Sequence, residues 1–270
     1  MELMQSIPLD SIQNARELGG YTMTDGSVIK KGLLLRTAKL SGISNEDIDR
    51  LVNRYRVSDI VDFRNAFEMP GFEDPAIPGA VYHQTDVMTL PDGLSDDDMA
   101  FDMNNVDFKQ LIPMLDMIGM TDGSMYIAFL EGDKGVKGFG DWLRILLNAD
   151  PDRAVLWHCT SGKDRTGLSA MLILSALGAD EKLIMNDYLL TNTYNAKRIA
   201  GLKMILKQKG MDDESLKKAA LAFEAVDELF MRRSLEHLNS AYGSVVGYIR
   251  NRLGLSESDI ESLKAKYLEG

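Results

Sequence analysis

One cysteine and an arginine downstream of it give the sequence its clearest capacity for chemistry. Cys159 and Arg165 lie in the segment HCTSGKDRTG, and Cys159 is the single cysteine of the 270 residues. The five residues between them are enough for the backbone to curl once around a tetrahedral anion, with its N–H groups pointing inward. Arg165 can bond two oxygens of that anion with its planar guanidinium. The positive field also favours the thiolate of Cys159, so the spacing predicts a phosphate-binding loop with a sulfur nucleophile.

The residues on either side of this loop predict the elements that hold it. Residues 153–157 (RAVLW) form an apolar run typical of a buried strand, and residues 166–177 are apolar enough for a core helix. A helix that begins near Asp164 adds the partial positive charge of its N-terminus to the site. Gly162 permits a backbone conformation closed to other residues. The residues predicted to bind phosphate are Thr160, Ser161, Gly162, Lys163, Asp164 and Arg165.

Three residues in or beside the loop are assigned supporting roles. We expect His158 to stabilise the loop by hydrogen bonding rather than to act as a base. Thr166 is expected to donate its hydroxyl to the cysteine sulfur, or to assist the leaving sulfur in a second step. Lys163 has two interpretations: a solvated side chain at the rim of the loop, or a second positive charge that favours substrates with more than one phosphate.

A nucleotide-binding loop is the rival interpretation of Gly162 and Lys163. The GxxxxGK[ST] pattern requires glycine where this chain has Trp157, and a magnesium-binding hydroxyl where it has Asp164. These two departures remove that alternative. No metal and no other cofactor is expected in the site.

The order of the predicted elements indicates an α/β fold, with a central, mostly parallel sheet flanked by helices. The predicted strands are residues 32–37, 57–63, 80–85 and 153–157. The predicted helices ahead of the loop are residues 44–54, 105–117 and 135–147. Asp25-Gly26 is typical of a two-residue hairpin turn. Ser44 with Asp47, and Ser256 with Asp259, predict capped helix starts.

Beyond the loop the pattern is helical to the end of the chain. Residues 216–238 place their large apolar side chains on roughly one helix face. The tract from about 190 to 250 is longer than is needed to cover a sheet, so we predict a helical lid or cap within a single domain spanning residues 1–270.

Composition and charge limit the class of partner. The net charge is −11 and the isoelectric point is near 4.8, which argues against nucleic-acid binding and against docking on anionic membranes, without excluding a local basic pocket. No Sec-type signal and no apolar stretch of about 20 residues is visible, so we expect a cytoplasmic protein without integral membrane association, although export without such a signal would be invisible here. Residues 91–105 contain five aspartates, and we interpret them as a solvated loop rather than a calcium site.

Several motifs carry a family resemblance. Residues 158–167 resemble the H-C-x5-R signature of the protein tyrosine phosphatase superfamily. Residues 14–20 (NARELGG) resemble the N-F-R-D-L-G-G segment of one bacterial and fungal branch, and residues 36–40 (RTAKL) resemble its R-S-A-x-L. Residues 62–68 resemble its D-L-R-S-x-x-E, and residues 256–268 are similar to its terminal helix.

This resemblance implies a tyrosine-phosphatase-like fold and hydrolysis of phosphotyrosine in protein through a phosphocysteine intermediate. Some members of the branch also accept phosphoserine, phosphothreonine or phosphoinositides. Tensin-type lipid phosphatases carry lysine at the position of Lys163, which keeps a dedicated phosphoinositide or inositol-phosphate phosphatase as the alternative. A non-catalytic phosphate-binding module is the alternative of another class. Ala15 and Thr37 depart from the branch pattern, and we expect these changes to affect packing rather than reaction type.

The general acid that protonates the leaving oxygen has two candidates. Typical members of the superfamily use an aspartate on a separate mobile loop, and Asp86, after the predicted strand 80–85, fits that description. The atypical branch suggests Asp164, inside the loop itself. Asp164 also has a purely structural interpretation, as the N-terminal cap of the following helix.

Two arginines in the resembling motifs are candidates for positions at or near the site. Arg16 lies in the first motif, and Arg64 follows the predicted strand 57–63, whose end should face the ligand. For both we favour structural support over direct contact with the substrate. An ion pair between Arg64 and Glu68 is the competing explanation for Arg64.

Overall fold

A five-stranded sheet forms the centre of the protein. The computed structural model describes residues 5–88 and 107–270. The strands of the sheet are β1 (Arg16–Glu17), β3 (Leu34–Thr37), β4 (Asp59–Asp62), β5 (Val81–Gln84) and β6 (Val155–His158). Their order is β1-β3-β6-β4-β5; β1 is antiparallel to β3, and the other neighbours are parallel. The strand that leads into Cys159 is therefore central, and the predicted α/β class with a mostly parallel sheet is confirmed.

The four predicted strands fall on observed strands of four residues each, and β6 ends one residue later than predicted, at His158. Every residue of β3 and of β6 is buried, as expected for a parallel sheet covered on both faces. Behind β6, the Trp157 ring packs edge-on against Trp142 at 5.3 Å between centroids, and Trp142 packs against Phe63. These contacts fix the strand that carries the cysteine.

Helices cover both faces of the sheet. The helices are α1 (Asn45–Asp49), α2 (Phe108–Met117), α3 (Met125–Glu131), α4 (Asp133–Asn148), α5 (Arg165–Leu177), α6 (Glu181–Tyr194), α7 (Ala196–Gln208), α8 (Asp213–Phe223), α9 (Glu228–Tyr242), α10 (Val245–Asn251) and α11 (Glu257–Tyr267). A π-helical turn (Arg50–Arg54) continues α1, and a 3-10 turn spans Ala66–Glu68.

The local start signals are largely confirmed. Ser44 accepts a hydrogen bond from the Asp47 backbone, but the Asp47 carboxylate bonds the backbone of Ser11 at 2.7 Å instead of returning to the cap. The reciprocal cap of Ser256 and Asp259 is present at α11.

A hairpin forms at Asp25-Gly26, but its loop has three residues (24–26) instead of the expected two, because the Met23 N–H donates to the Ser27 carbonyl at 2.7 Å and Gly26 takes a φ of +92°. β2 (Val28–Ile29) then pairs antiparallel with β7 (Leu268–Glu269) near the end of the chain. The aspartate-rich stretch 91–105 lies outside the described residues, as do the first two residues of the helix predicted at 105–117.

The tract after α5 differs from a continuous amphipathic helix. The helix face predicted over 216–238 is divided between α8 and α9, because residues 224–227 are not helical. Asn192 of α6 explains the break: its side chain donates to the Val226 carbonyl and accepts from the Val226 N–H, both at 2.9 Å. These bonds replace helical ones. α10 packs on α5 of the core, whereas α7 and α8 pack on each other.

Candidate active site

The loop from Cys159 to Asp164 joins β6 to α5, and we call it the phosphate loop. Cys159 is 2% exposed and follows directly on β6. Gly162 has a φ of +66°, in the left-handed region that favours glycine. A Cβ at this position would also clash with the Thr37 carbonyl of the neighbouring strand β3. Glycine is therefore required here both by the backbone angle and by the space available.

Two side chains, Asn14 and Arg36, bond carbonyl groups of the loop and hold them on one side of it. The Gly162 carbonyl accepts from the Asn14 side-chain amide at 2.8 Å and from Arg36 Nη2 at 3.0 Å. The Ser161 carbonyl accepts from the same Asn14 amide at 3.3 Å. With these oxygens held behind the loop, its N–H groups are available on the opposite side for an anion.

A buried ionic network lies behind these contacts. Asp187 of α6 accepts from Arg16 Nε at 3.1 Å and from Arg36 Nη1 at 2.5 Å, and all three side chains are buried. Burial and the neighbouring Arg16 lower the pKa of Arg36 to about 10. Burial opposes ionisation of Asp187, yet the charges of Arg16 and Arg36 hold its pKa below the ordinary value. Two guanidinium groups share one carboxylate, which leaves surplus positive charge behind the phosphate loop.

Arg16 is placed in this network and not at a substrate-facing position. It contacts Asn14 through its Nη1 atom and Asp187 through its Nε atom, so it supports the residues that hold the loop. This position agrees with the expected role of Arg16 in structural support. No pattern in the sequence points to Asp187, which lies 171 positions from Arg16 and outside every resembling motif.

Arg165 forms a two-pronged ion pair with Glu68. The Nη1 and Nη2 atoms of Arg165 lie 2.5 and 2.6 Å from the two carboxylate oxygens, and Thr160 Oγ1 donates to the same carboxylate at 2.5 Å. Burial would lower the pKa of Arg165, but Glu68 outweighs it and raises that pKa above the ordinary value. Burial would likewise raise the pKa of Glu68, but the charge of Arg165 lowers it. Asn65 caps the 3-10 turn that positions Glu68.

Arg64 has partners other than the one expected. Its Nη2 atom lies 2.7 Å from Asp62 and 2.7 Å from Asp74, so the ion pair proposed between Arg64 and Glu68 is wrong. Glu68 is instead engaged by Arg165. Arg64 is fully buried and stabilises the end of β4, which again is structural support.

His158 lies in the same cluster as Arg64. Its Nδ1 atom is 3.2 Å from the Cys159 carbonyl oxygen and its Nε2 atom is 3.0 Å from Asp74 Oδ2. These contacts fit the expected role in supporting the loop. Asp62, Asp74 and His158 offer ligand atoms within 4.8 Å of one another, a spacing that a metal ion could use. Because the Arg64 guanidinium already bonds both carboxylates, we interpret the group as an ion-pair cluster.

Asp164 occupies the cap position of α5 without capping it. Its side chain makes no hydrogen bond to the first turn, so the helix-cap interpretation is wrong. Its carboxylate instead accepts from the Tyr126 hydroxyl at 2.6 Å and from Lys163 Nζ at 3.0 Å. The Tyr126 hydroxyl also meets the Tyr188 hydroxyl at 2.7 Å. Burial and Asp164 raise the pKa of Tyr126 well above its ordinary value, so this hydroxyl stays protonated and able to donate.

Asp86 lies in a different part of the sheet. It follows β5 at the edge, with β4 between β5 and the cysteine strand. Its carboxylate accepts from the Met88 backbone at 2.8 Å and pairs with Lys134 at 2.8 Å.

Thr166 is buried in the first turn of α5. Among the described residues, its hydroxyl has no hydrogen-bond partner, so the expected bond to the cysteine sulfur is not formed in this structure.

The end of α8 covers the phosphate loop. Lys163 Nζ donates to the Leu221 carbonyl at 2.8 Å, and Ser161 Oγ donates to the Phe223 carbonyl at 3.2 Å. Lys163 is 2% exposed, so its interpretation as a solvated side chain at the rim is wrong. Residues from the predicted lid tract therefore contact the loop directly.

The fold and the loop together define a class of protein. It is an α/β protein with a glycine-dependent loop between a central parallel strand and a helix N-terminus, with Cys159 at the start of that loop and Arg165 in the first turn of the helix that follows. Residues 7–269 match the model of the tyrosine phosphatase family. The chain belongs to this family and is a protein-tyrosine phosphatase, a phosphoric monoester hydrolase.

Individual relatives agree with this assignment. A protein of Cupriavidus necator, named as a candidate tyrosine-protein phosphatase, is 29% identical over 273 residues, covering 98% of this chain and 89% of the relative. The triple specificity protein phosphatase PtpB of Mycobacterium tuberculosis is 24% identical over 283 residues, covering 94% and 99%. A tyrosine-protein phosphatase of Nostoc commune is 32% identical over 129 residues, covering 44% and 40%. In the described parts of the chain, no helix combines the length and the apolar character needed to cross a bilayer.

Proposed function

We propose that the chain hydrolyses phosphotyrosine in protein by nucleophilic catalysis at Cys159, without a metal. The observation that carries the proposal is the phosphate loop, whose carbonyls are turned back by Asn14 and Arg36 so that its N–H groups can receive a phosphoryl group. Arg165 stands at the helix end of that loop, already oriented by Glu68. Together they supply a pocket for a dianion beside a sulfur atom.

The reaction has two steps. In the first, the Cys159 thiolate attacks phosphorus, an S–P bond forms, and the P–O bond to the leaving group breaks in line. The leaving oxygen takes a proton from an acid. In the second step water attacks the phosphocysteine, the S–P bond breaks, and the acid residue takes a proton from that water. Inorganic phosphate and the thiolate are the products, so the cycle is balanced.

Asp164 is the proposed acid. It lies beside Arg165 and keeps its carboxylate off the helix start, held by Tyr126 and Lys163. Tyr126 fixes the orientation of Asp164 through the shared hydrogen bond. Asp86 is the alternative, and its pairing with Lys134 on the edge of the sheet argues against it.

Substrate breadth is the second part of the proposal. Phosphoserine and phosphothreonine are included, since the name of the M. tuberculosis relative describes a triple specificity phosphatase. A phosphoinositide or inositol-phosphate phosphatase is the alternative function, and the Lys163 ammonium beside the loop favours it because it adds positive charge. Membership of the tyrosine phosphatase family, with both Cys159 and Arg165 present, argues against a non-catalytic module.

Access to the loop is the third part. We assign the lid to α7 and α8 within one phosphatase domain, because the Leu221 and Phe223 carbonyls occupy donors of the phosphate loop. Substrate binding would exchange these two bonds for bonds to phosphate. The cytoplasmic location expected from the sequence is retained as a proposal.

Turnover of an aryl phosphate in EDTA tests the nucleophile. The native chain is expected to hydrolyse p-nitrophenyl phosphate, and Cys159→Ser is expected to lose at least about a thousandfold in kcat. Absence of turnover by the native chain would overturn the enzyme mechanism. Unchanged turnover by Cys159→Ser would overturn the choice of nucleophile.

Leaving-group dependence tests the acid. Asp164→Asn should slow hydrolysis of alkyl phosphates about 100-fold or more, and hydrolysis of p-nitrophenyl phosphate much less, because a good leaving group needs little protonation. Asp86→Asn is the matched control and should affect both substrates alike. The opposite ranking of the two variants would transfer the acid role to Asp86. Comparing a phosphotyrosine peptide with a soluble phosphoinositide then distinguishes the two substrate classes.

A further inference from the structure

Helix α7 carries a concentration of positive charge that contrasts with the rest of the chain. Residues 196–211 contain five basic side chains and no aspartate or glutamate, although the whole chain has a net charge of −11. The five are Lys197, Arg198, Lys203, Lys207 and Lys209. The composition of this one helix therefore points to a partner of negative charge.

Large apolar side chains lie exposed among these charges. Met204 is 60% exposed and Ile205 is 50% exposed, whereas Leu206 is fully buried and attaches the helix to the protein. At 3.6 residues per turn, Lys203 and Lys207 share one flank of Met204, and Lys197 lies two turns before it. We call the five residues Lys197, Lys203, Met204, Ile205 and Lys207 the α7 outer face.

The charges of the α7 outer face are not neutralised by the protein. In the described part of the chain, no carboxylate pairs with Lys197, Lys203 or Lys207. The neighbouring Arg198 differs, because Glu224 holds its guanidinium in two hydrogen bonds at 2.6 and 2.7 Å. The lysines are therefore available to an external partner, while Arg198 belongs to the lid.

Apolar and basic side chains on one exposed helix face match the surface of an anionic bilayer. Lysines are attracted to the negative headgroups, and apolar side chains between them enter the boundary with the acyl chains. A nucleic-acid backbone would use the lysines but offer nothing to Met204 and Ile205. We propose that the α7 outer face docks the protein on an anionic lipid bilayer. This proposal runs against the sequence-based expectation that the acidic chain avoids such membranes, and it concerns this face alone.

The position of α7 links this surface to the phosphate loop. Arg198, in the first turn of α7, pairs with Glu224 at the end of α8, and the adjacent Phe223 carbonyl accepts from Ser161 of the loop. A bilayer that holds α7 therefore also holds the segment that covers the loop. Docking itself requires no catalysis and stands independently of the proposed reaction.

Vesicle sedimentation with the full-length Cys159→Ser chain tests the docking, so that loss of enzyme activity cannot alter the result. The protein is expected to sediment with equimolar phosphatidylcholine and phosphatidylserine vesicles, and not with phosphatidylcholine alone. Lys203→Gln with Lys207→Gln should weaken the partition about 25-fold, at roughly fivefold per lysine. Met204→Ser with Ile205→Ser should weaken it at unchanged charge.

The matched control is Lys137→Gln with Lys182→Gln, which changes the net charge equally on exposed positions of α4 and α6. This control should bind like the parent chain, and far-ultraviolet circular dichroism should show every variant folded. Equal binding by the α7 variants and the parent, an equal loss in the control, or no binding to anionic vesicles would each overturn the proposal. Self-association abolished by Met204→Ser with Ile205→Ser, without vesicle binding, would assign the face to a second copy of the chain instead.

Discussion

The two sides of the phosphate loop are held by different kinds of contact. Behind the loop, Asn14 and Arg36 bond the Gly162 carbonyl, and Arg36 is itself fixed by the buried Asp187. In front of it, Ser161 and Lys163 donate to two backbone carbonyls of α8. Loss of Asp187 behind the loop would leave two guanidinium groups unpaired in the interior, whereas water or phosphate can replace the front contacts.

We therefore assign the shape of the loop to the rear contacts and the access of substrate to the front contacts. The rear network preserves the curvature of the loop whether or not an anion is bound, because its members are buried and mutually paired. Under the proposed mechanism a phosphoryl group needs the same donors as the front contacts, so we expect these contacts to exchange during each cycle. We therefore expect variants at the rear to lose stability and turnover together, and variants at the front to change access with little effect on folding.

Removal of the shared carboxylate should have the largest effect. Asp187→Asn leaves Arg16 and Arg36 buried without their counter-charge, and we expect a loss of about 3–5 kcal/mol in the free energy of unfolding. Urea denaturation measures this loss. Asp141→Asn, which breaks an exposed pair with Lys137, is the control and should cost at most about 1 kcal/mol. Similar losses in the two variants would contradict the distinction between the rear network and a surface pair.

Acidification should destabilise the protein through the same buried pairs. The pKa values of Glu68 and Asp187 lie below the ordinary values of 4.5 and 3.8, so both groups contribute stability above those pH values. That contribution is lost as the pH falls through the lowered pKa values. The free energy of unfolding, measured between neutral pH and pH 3, should therefore fall as the pH is lowered. Glu68→Gln should reduce the slope of the unfolding free energy against pH. If Glu68→Gln retained the full slope, Glu68 would be excluded as a source of the pH dependence of stability.

Loss of one rear hydrogen-bonding side chain should have a smaller effect. Asn14→Gly keeps the positive φ of 53° accessible but removes the amide that bonds the Ser161 and Gly162 carbonyls. Arg36 still bonds Gly162, so we expect a loss of about 1 kcal/mol in stability and roughly a fivefold loss in vanadate affinity. Isothermal titration measures the affinity, and an unchanged value would remove Asn14 from the positioning of the loop.

Disruption of a front contact should have the smallest effect on stability. Ser161→Ala removes the hydroxyl that donates to the Phe223 carbonyl, and we expect at most about 1 kcal/mol of destabilisation. The value of kcat/KM for an aryl phosphate should fall by roughly fivefold, because the proposed mechanism uses the same hydroxyl as a donor to the phosphoryl group. A large loss of stability would show that the front contact is as structural as the rear one.

The sequence predicted those features that depend on neighbours in the chain. The strand at 153–157, the spacing of Cys159 and Arg165, and the start of α5 follow from local patterns, and all lie within 25 residues. Four parallel strands follow from short apolar runs. The position of the loop between strand and helix and the fold class were therefore accessible without a structure.

The partners that hold the loop were not accessible in that way. Asp187 and Tyr126 lie far along the chain from the loop residues they serve and have no distinctive spacing, so only folding brings them together. The role of Asp164 was left open by the sequence, because an aspartate before a helix is usually its cap. In the structure its carboxylate accepts a hydrogen bond from the Tyr126 hydroxyl instead. The break between α8 and α9 was missed because the Asn192 side chain, from another helix, replaces the local bonds.

The most direct test of the central claim is to trap the covalent intermediate. The native chain is mixed rapidly with an aryl phosphate, quenched in acid and digested, and the peptide that contains Cys159 is examined by mass spectrometry. Phosphate is predicted on the Cys159 sulfur in the native chain, and on no residue of the loop in Cys159→Ala. Turnover with phosphate on another residue, or with no enzyme-bound phosphate at any quench time, would contradict the account.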